Sequence, residues 1–288
     1  MRYGVGLGVI GALASVALAD LRTFRETYSG STNHGNWSYF GDPGTGIEVV
    51  ETSGGNPGAF WHSTCNQSEL LCLDTYAPQP RTQLGVNSRF VGNYRARQVT
   101  ALGIDLVLFY VDFSAAGRPL TVMLRGDAGT PGDPSDDYFV YRLEPYYVPE
   151  VGDGWRSFTF AIPSQNLTLP LGWSVLNGSG DNNADWNAAI TSVAQVVFFY
   201  GDPEFFFIFQ QWEPGLDNPR ITRNVLVGDL NCDGEVNILD INAFTLALAD
   251  ETAYAAEYPK CDSIAADVND DGEVNVLDIN PFVALIGG

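Results

Sequence analysis

The 288-residue chain carries 35 Asp and Glu against 14 Lys and Arg, a formal net charge of −21 at pH 7. Apolar residues make up 45% and aromatic residues 12%, enough for a folded core, which excludes a disordered acidic tail. Every basic residue but Lys260 is Arg and no basic stripe exists, which excludes nucleic acid and anionic membrane surfaces as partners but leaves neutral surfaces and divalent cations open.

The first residues read as an export signal. Met1-Arg2 supplies a positive end, residues 5–18 are uncharged and mostly apolar, and Ala17-Leu18-Ala19 forms a small-x-small cleavage site before Asp20. The stretch is too short and too Gly-rich to span a bilayer well. The expectation is a signal peptide over 1–19 and a secreted or cell-surface mature chain, with no membrane insertion.

From Asp20 to residue 223, short β-branched or alternating runs fall at 47–51, 104–110, 120–124, 138–143, 156–162, 193–200 and 205–211. Gly, Pro and Asn clusters separate them, and only 184–191 offers a helical turn or two. That pattern predicts a mainly β fold, an antiparallel β-sandwich of jelly-roll type over 20–223. The run Phe205-Phe-Phe-Ile-Phe209 is apolar on both faces and predicts an interior strand.

Candidate chemistry in this region is sparse. His34 and His62 lie in no nucleophile or metal-ligand spacing, so a Ser-His-Asp hydrolase has little support. Asp105, Asp112, Glu144, Glu204 and Glu213 are candidate carboxylates for a glycosidase pair, but a sequence does not reveal their separations. Trp37, Trp61, Trp173, Trp186 and Trp212 lie in or beside polar Gly/Asn stretches, where rings either stack on sugars or fill the core; ordinary aromatic burial favours the core. Asp217 and Asn218 read as a turn closing the last strand in preference to a further cation site. Arg125-Gly-Asp127 opens a Gly/Pro turn, and the Asn-x-Ser/Thr sites at Asn36, Asn66, Asn166 and Asn177 carry no prediction.

Four cysteines in an exported chain suggest disulfides. Local pairing, Cys65 with Cys72 and Cys232 with Cys261, is the simplest of the three connectivities.

The last sixty residues contain a repeat. The segment DLNCDGEVNILDINAF beginning at Asp229 recurs as DVNDDGEVNVLDINPF beginning at Asp267, 38 residues later. As twelve-residue loops, both copies place oxygen side chains at positions 1, 3, 5, 9 and 12, Gly at 6 and a backbone carbonyl at 7, the ligand pattern of a calcium loop. The predicted ligands are Asp229, Asn231, Asp233, Glu235 through its carbonyl, Asn237 and Asp240, then Asp267, Asn269, Asp271, Glu273, Asn275 and Asp278. Position 12 is Asp instead of the longer Glu of a helix-loop-helix calcium hand, and no strong entering helix precedes either loop. The exiting segments do read as helices: Ile238, Ile241, Phe244 or Thr245 and Leu248 fall on one face of the first, and Val276, Ile279, Phe282 or Val283 and Ile286 on one face of the second. Residues 228–288 hold thirteen acids and one base, so a metal-free tail is expected to be loose or unfolded and two Ca²⁺ ions would offset four charges. No long Pro/Thr or Gly/Ser linker separates this tail from the preceding residues, which predicts that it packs on the sandwich.

On these motifs, residues 228–287 resemble the type I dockerin domain. The resemblance implies a small helical domain with two Ca²⁺ sites that anchors an extracellular protein to a protein partner, a cohesin or another surface protein. The cohesin-contacting positions beside the last ligand hold Ile238-Leu239 and Val276-Leu277 in place of polar residues, and the Cys232-bearing loop looks more like the dockerin-like tails of exported environmental bacterial proteins. More weakly, Trp155 to Phe158, Phe160 to Pro163, Leu171-Gly-Trp173, residues 193–200 and Gly215 to Asn218 are similar to landmarks of laminin B-type and jelly-roll extracellular modules. That likeness implies a non-catalytic adhesive or glycan-binding module. The expected function is therefore a secreted glycan- or matrix-binding or structural protein held in an assembly by a calcium-binding tail. The alternatives are a secreted polysaccharide-degrading enzyme and a purely structural surface-layer component.

Overall fold

A computed structural model describes residues 20–28, 37–38, 46–65, 79–80, 89–111, 115–130, 133–143, 145–204, 212–259 and 261–287. Strands β1 (Asp20–Arg25), β2 (Trp37–Ser38), β3 (Gly46–Gly55), β4 (Gly58–Cys65), β5 (Gln79–Pro80), β6 (Val99–Val111), β7 (Leu120–Gly126), β8 (Tyr138–Arg142), β9 (Arg156–Ala161) and β10 (Ser174–Leu176) precede helix α1 (Asn182–Thr191). Strands β11 (Gln195–Tyr200) and β12 (Trp212–Val225) follow, and helices α2 (Ile241–Ala249), α3 (Glu251–Glu257) and α4 (Ile279–Gly287) end the chain. The expected signal peptide, the strand over 205–211, Cys72, His34, Asp112 and Glu144 lie outside the described residues, as do the side chains of Trp37 and Cys65. Among the described residues no helix is long and apolar enough to cross a membrane.

The fold is mainly β and its sheets are antiparallel. One sheet has the order β3-β4-β12-β6-β9, with β1 also paired to β12; a second runs β10-β8-β7-β11, and β2 pairs with β5. Both larger sheets contribute to one core, which joins Trp61, Leu102, Ile104, Leu106 and Phe160 of the first to Val122, Val140 and Phe198 of the second. The four-stranded sheet buries its opposite face as well, through Met123, Tyr141, Val197 and Phe199. Burial of these side chains, each contributing about 1.5–3 kcal/mol before chain entropy is subtracted, is what holds the layers together.

Strand β12 organises the first sheet. On one side it pairs with β6 along nearly its whole length; on the other it pairs with β4 through Gly215 and Leu216 and with β1 from Arg220 to Val225. Asp217 and Asn218, expected to form a closing turn, instead lie inside this strand at a register irregularity, with Asn218 at φ 48°. Pairing to β6 on either side of the irregularity carries the chain through residues whose local preference is a turn.

The C-terminal residues form a second, smaller core from Leu230, Ala243, Phe244, Ala247, Tyr254, Ala266 and Phe282. Cys232 and Cys261 are joined in a disulfide, as local pairing predicts. This unit packs on the sandwich without a spacer. Arg89 donates two hydrogen bonds to Glu251 (2.8 and 2.6 Å), Arg223 pairs with Asp262, and Arg22 donates to the Asp267 carbonyl (3.3 Å) and pairs with Asp270 (3.4 Å).

Candidate metal centre

Each acidic loop is shaped by its own carboxylates. In the first, Asp229 accepts from the backbone N–H groups of Asp233 (3.1 Å) and Gly234 (3.0 Å), so position 1 reaches across to positions 5 and 6. Asp240 accepts from Leu230 (2.8 Å), Asn231 (3.1 Å) and Asn237 (2.9 Å), tying the last residue of the loop to its start. Asn231 accepts from Asp233 N–H (2.9 Å) and Asp233 from Glu235 N–H (2.9 Å). Gly234 sits at φ 90°, a conformation that a side chain would strain.

The second loop repeats this network residue for residue. Asp267 accepts from Asp271 (3.2 Å) and Gly272 (3.0 Å), and Asp278 from Val268 (2.8 Å), Asn269 (3.1 Å) and Asn275 (2.9 Å). Gly272 lies at φ 88°, and Cys232 and Asp270, both at position 4, share a left-handed backbone at 57° and 60°. In both copies Asn237 or Asn275 caps a single 3-10 turn, Ile238–Asp240 or Val276–Asp278, that leads into the exiting helix.

Both loops bury carboxylates. Asp240 and Asp278 are fully buried and Asp229 and Asp267 nearly so, with only neutral backbone N–H donors within each loop. Burial first, then the charges of Asp240 and Asp233, pushes the Asp229 carboxyl above the usual range; Asp267 is raised by burial and by Asp278 and Asp271. Backbone N–H bonds oppose both shifts. The donor set is oxygen throughout, which suits a hard divalent cation of flexible geometry. Among the described residues no group of three or more His, Cys, Asp or Glu side chains is placed to hold a metal ion.

The helices that leave the loops turn only part of the predicted apolar face inward: Phe244, Leu248, Phe282 and Ile286 pack in or against the small core, whereas Ile238, Ile241, Val276 and Ile279 do not. Ala243, Phe244 and Ala247 are buried in α2 and Phe282 in α4, while Ile238, Leu239, Val276 and Leu277 are 64–74% exposed and Ile241, Ile279 and Val283 are exposed too. The helices meet through a parallel stack of Phe244 on Phe282, centroids 3.9 Å apart. α3, which sequence periodicity did not reveal, supplies Tyr254, whose hydroxyl donates to the Leu230 carbonyl (2.8 Å).

Each of the three candidate carboxylates among the described residues has its own partner or place. Asp105 is buried and paired with Arg220 (2.8 Å), Glu204 accepts from the Tyr141 hydroxyl (2.6 Å), and Glu213 faces Tyr110 at the far end of the β6 pairing from Asp105. Trp61, Trp173, Trp186 and Trp212 are core residues. The outward face of the first sheet carries a cluster that sequence reasoning missed. His62 lies between Glu51 (3.3 Å) and Glu213 (3.1 Å), with Phe109 against its ring and Phe60 bridging to Trp155. The alternation of β4 holds the only signal for it: Ala59, Trp61 and Ser63 share one face and Phe60 and His62 the other, and both faces are aromatic. Gly215 makes room for the cluster, because a Cβ there would meet Val107, Phe109 and Phe60 at 2.7–3.0 Å.

No protein-family model matches the chain, and no curated protein matches it. Among solved structures, the L4b domain of human laminin alpha-2 is similar to it at 12% identity and a TM-score of 0.31, over 74% of this chain and 95% of that domain. A TM-score this low does not establish a shared fold.

Proposed function

We propose that residues 228–288 are a dockerin-like module that binds two Ca²⁺ ions and attaches an exported β-sandwich, itself a non-catalytic glycan- or matrix-binding or structural unit, to an extracellular or cell-surface assembly. The observation that carries this reading is the duplication of one loop geometry, down to the position-4 and position-6 backbone and each carboxylate's N–H partners. Asp229, Asn231, Asp233, the Glu235 carbonyl, Asn237 and Asp240 would hold one ion; Asp267, Asn269, Asp271, the Glu273 carbonyl, Asn275 and Asp278 the other. Bound Ca²⁺ supplies positive charge between carboxylates that otherwise repel, so that binding free energy becomes folding free energy. The exposed pairs Ile238-Leu239 and Val276-Leu277 are the surface that a protein partner would cover, cohesin-like or otherwise.

Calorimetric titration of the chelator-treated mature chain with Ca²⁺, followed in parallel by circular dichroism, tests the reading. Two sites with a gain of helix are expected. Absence of binding, or binding that leaves the helical signal unchanged, removes the docking module and leaves an acidic β-sandwich with a structured tail.

A further inference from the structure

We propose that the groove between the β9 edge and residues 145–153 is a preformed binding site for a neutral polysaccharide; the proposal rests on the sandwich being the ligand-binding half of the molecule. The groove is open to solvent, offers about 860 Å³ and is lined by Tyr146, Tyr147, Trp155, Glu150, Asp153 and Arg156, among others. That volume lies in the range of small-ligand sites.

Its aromatic walls are held before any ligand arrives. Trp155 donates its ring N–H to the Gly54 carbonyl (2.9 Å) and packs edge-on against Phe60. Tyr146 donates its hydroxyl to the Thr159 carbonyl (2.8 Å) and packs edge-on against Phe158 and Phe160. Tyr147 is 57% exposed, yet its backbone is fixed by a bridge to Pro119, and its neighbours bond to residues 118 and 120. A large ring left in solvent on an immobile backbone costs little entropy to use.

The polar wall is also built. Glu150 N–H donates to Asp153 (3.2 Å), and Asp153 lies 3.8 Å from Arg156, across a turn with Gly152 and Gly154 at φ 98° and 73°. Ring faces beside carboxylate acceptors and one guanidinium donor match a sugar, which has an apolar C–H face and a rim of hydroxyls. Two carboxylates against one Arg, on a chain of net charge −21, select against acidic polysaccharides.

The test is affinity electrophoresis of the full chain in native gels cast with mixed-linkage β-glucan, galactomannan, dextran or alginate. Retardation by at least one neutral polymer and none by alginate is expected. Tyr147→Ala and Glu150→Gln should each weaken that retardation, Tyr147→Ala by about tenfold or more, and Leu171→Ala, a fully exposed residue outside the groove, should not. Retardation that both groove variants leave intact would overturn the groove while sparing a glycan-binding sandwich, and no retardation by any neutral polymer would overturn both. Equal retardation by alginate, or new reducing ends released from a bound polymer, would also overturn the proposal. None of these outcomes depends on the Ca²⁺ titration of the tail.

Discussion

Asp217 lies where one edge of β12 passes from β4 to β1, and the tip of the β3–β4 hairpin fills the gap. Asn56 N–H donates to one Asp217 oxygen (2.6 Å) and Asn218 N–H to the other (2.7 Å), while Asn218 and Arg220 donate to Asp105 beside it (2.8 Å each). Burial, reinforced by the charge of Asp105 and opposed by the two N–H bonds, pushes the Asp217 carboxyl up to about 6. A raised carboxylate keeps its proton longer in the folded than in the unfolded chain, so this group makes stability fall as pH rises from about 4 to about 6. At 1.36 kcal/mol per pKa unit, the loss is about 2–3 kcal/mol. Urea unfolding of the wild type and Asp217→Asn at pH 4.5 and 7 should show a shallower fall in the variant; parallel slopes would assign the titration elsewhere. The sequence places Asp217 beside Asn218 and Pro219, which read as a turn. Its neighbours Asn56 and the buried Asp105 lie more than a hundred residues earlier and leave no local signature.

At the scale of elements, the two exiting helices depend on each other. Neither α2 nor α4, at nine residues each, is long enough to be stable alone in water, so the Phe244–Phe282 stack and the buried alanines beside it supply what propensity cannot. Phe282→Ala should cost about 3–5 kcal/mol, a large part of what so small a core provides. Hydrogen exchange would then show lost protection in residues 241–249 with the sandwich amides unchanged; uniform exchange across both would mean that the stack is not what holds the tail. Helix positions were legible from the repeat, but their inward faces only in part. α2 is apolar almost all round, and only the place where α4 arrives decides that Phe244 turns in and Ile241 out. The strands show the same division. β6 and β7 are evident from runs of branched residues, whereas β12 is interrupted by Pro214, Gly215 and Pro219 and is held straight by its pairing to β6.

For the whole molecule, the surface between sandwich and tail is an arginine contact with acids. Arg22, Arg89 and Arg223 come from the sandwich, and Glu251, Asp262 and Asp270 from the tail. Burial alone would raise the Glu251 carboxyl, but hydrogen bonds and charge from Arg89, aided by Ser263 and Arg223, hold it below its ordinary value. A lowered carboxylate stabilises the folded contact above its unfolded pKa of about 4.5, and that support is lost as pH falls below it. Glu251→Gln should loosen the contact by about 1 kcal/mol, a modest figure because the Glu251 side chain is 42% exposed. Limited proteolysis should then cut faster between residues 225 and 229 in the variant at pH 7 and converge with wild type below pH 4. An unchanged rate at pH 7 would mean that the remaining pairs suffice.

What the sequence by itself determined is what repeats or alternates over short distances. The duplicated loops, the exiting helices, the branched strands and the concentration of acid in the tail are all of this kind, because each is specified within one or two turns of chain or by one repeat. The tertiary structure alone decided which aromatic residues are buried and which line a groove. It also decided how β12 survives its turn residues and which arginines receive the tail. Those outcomes join Trp155 to Gly54, Asn56 to Asp217 and Arg22 to Asp267, and contacts between such distant residues are set by the packing of layers, which local pattern does not encode.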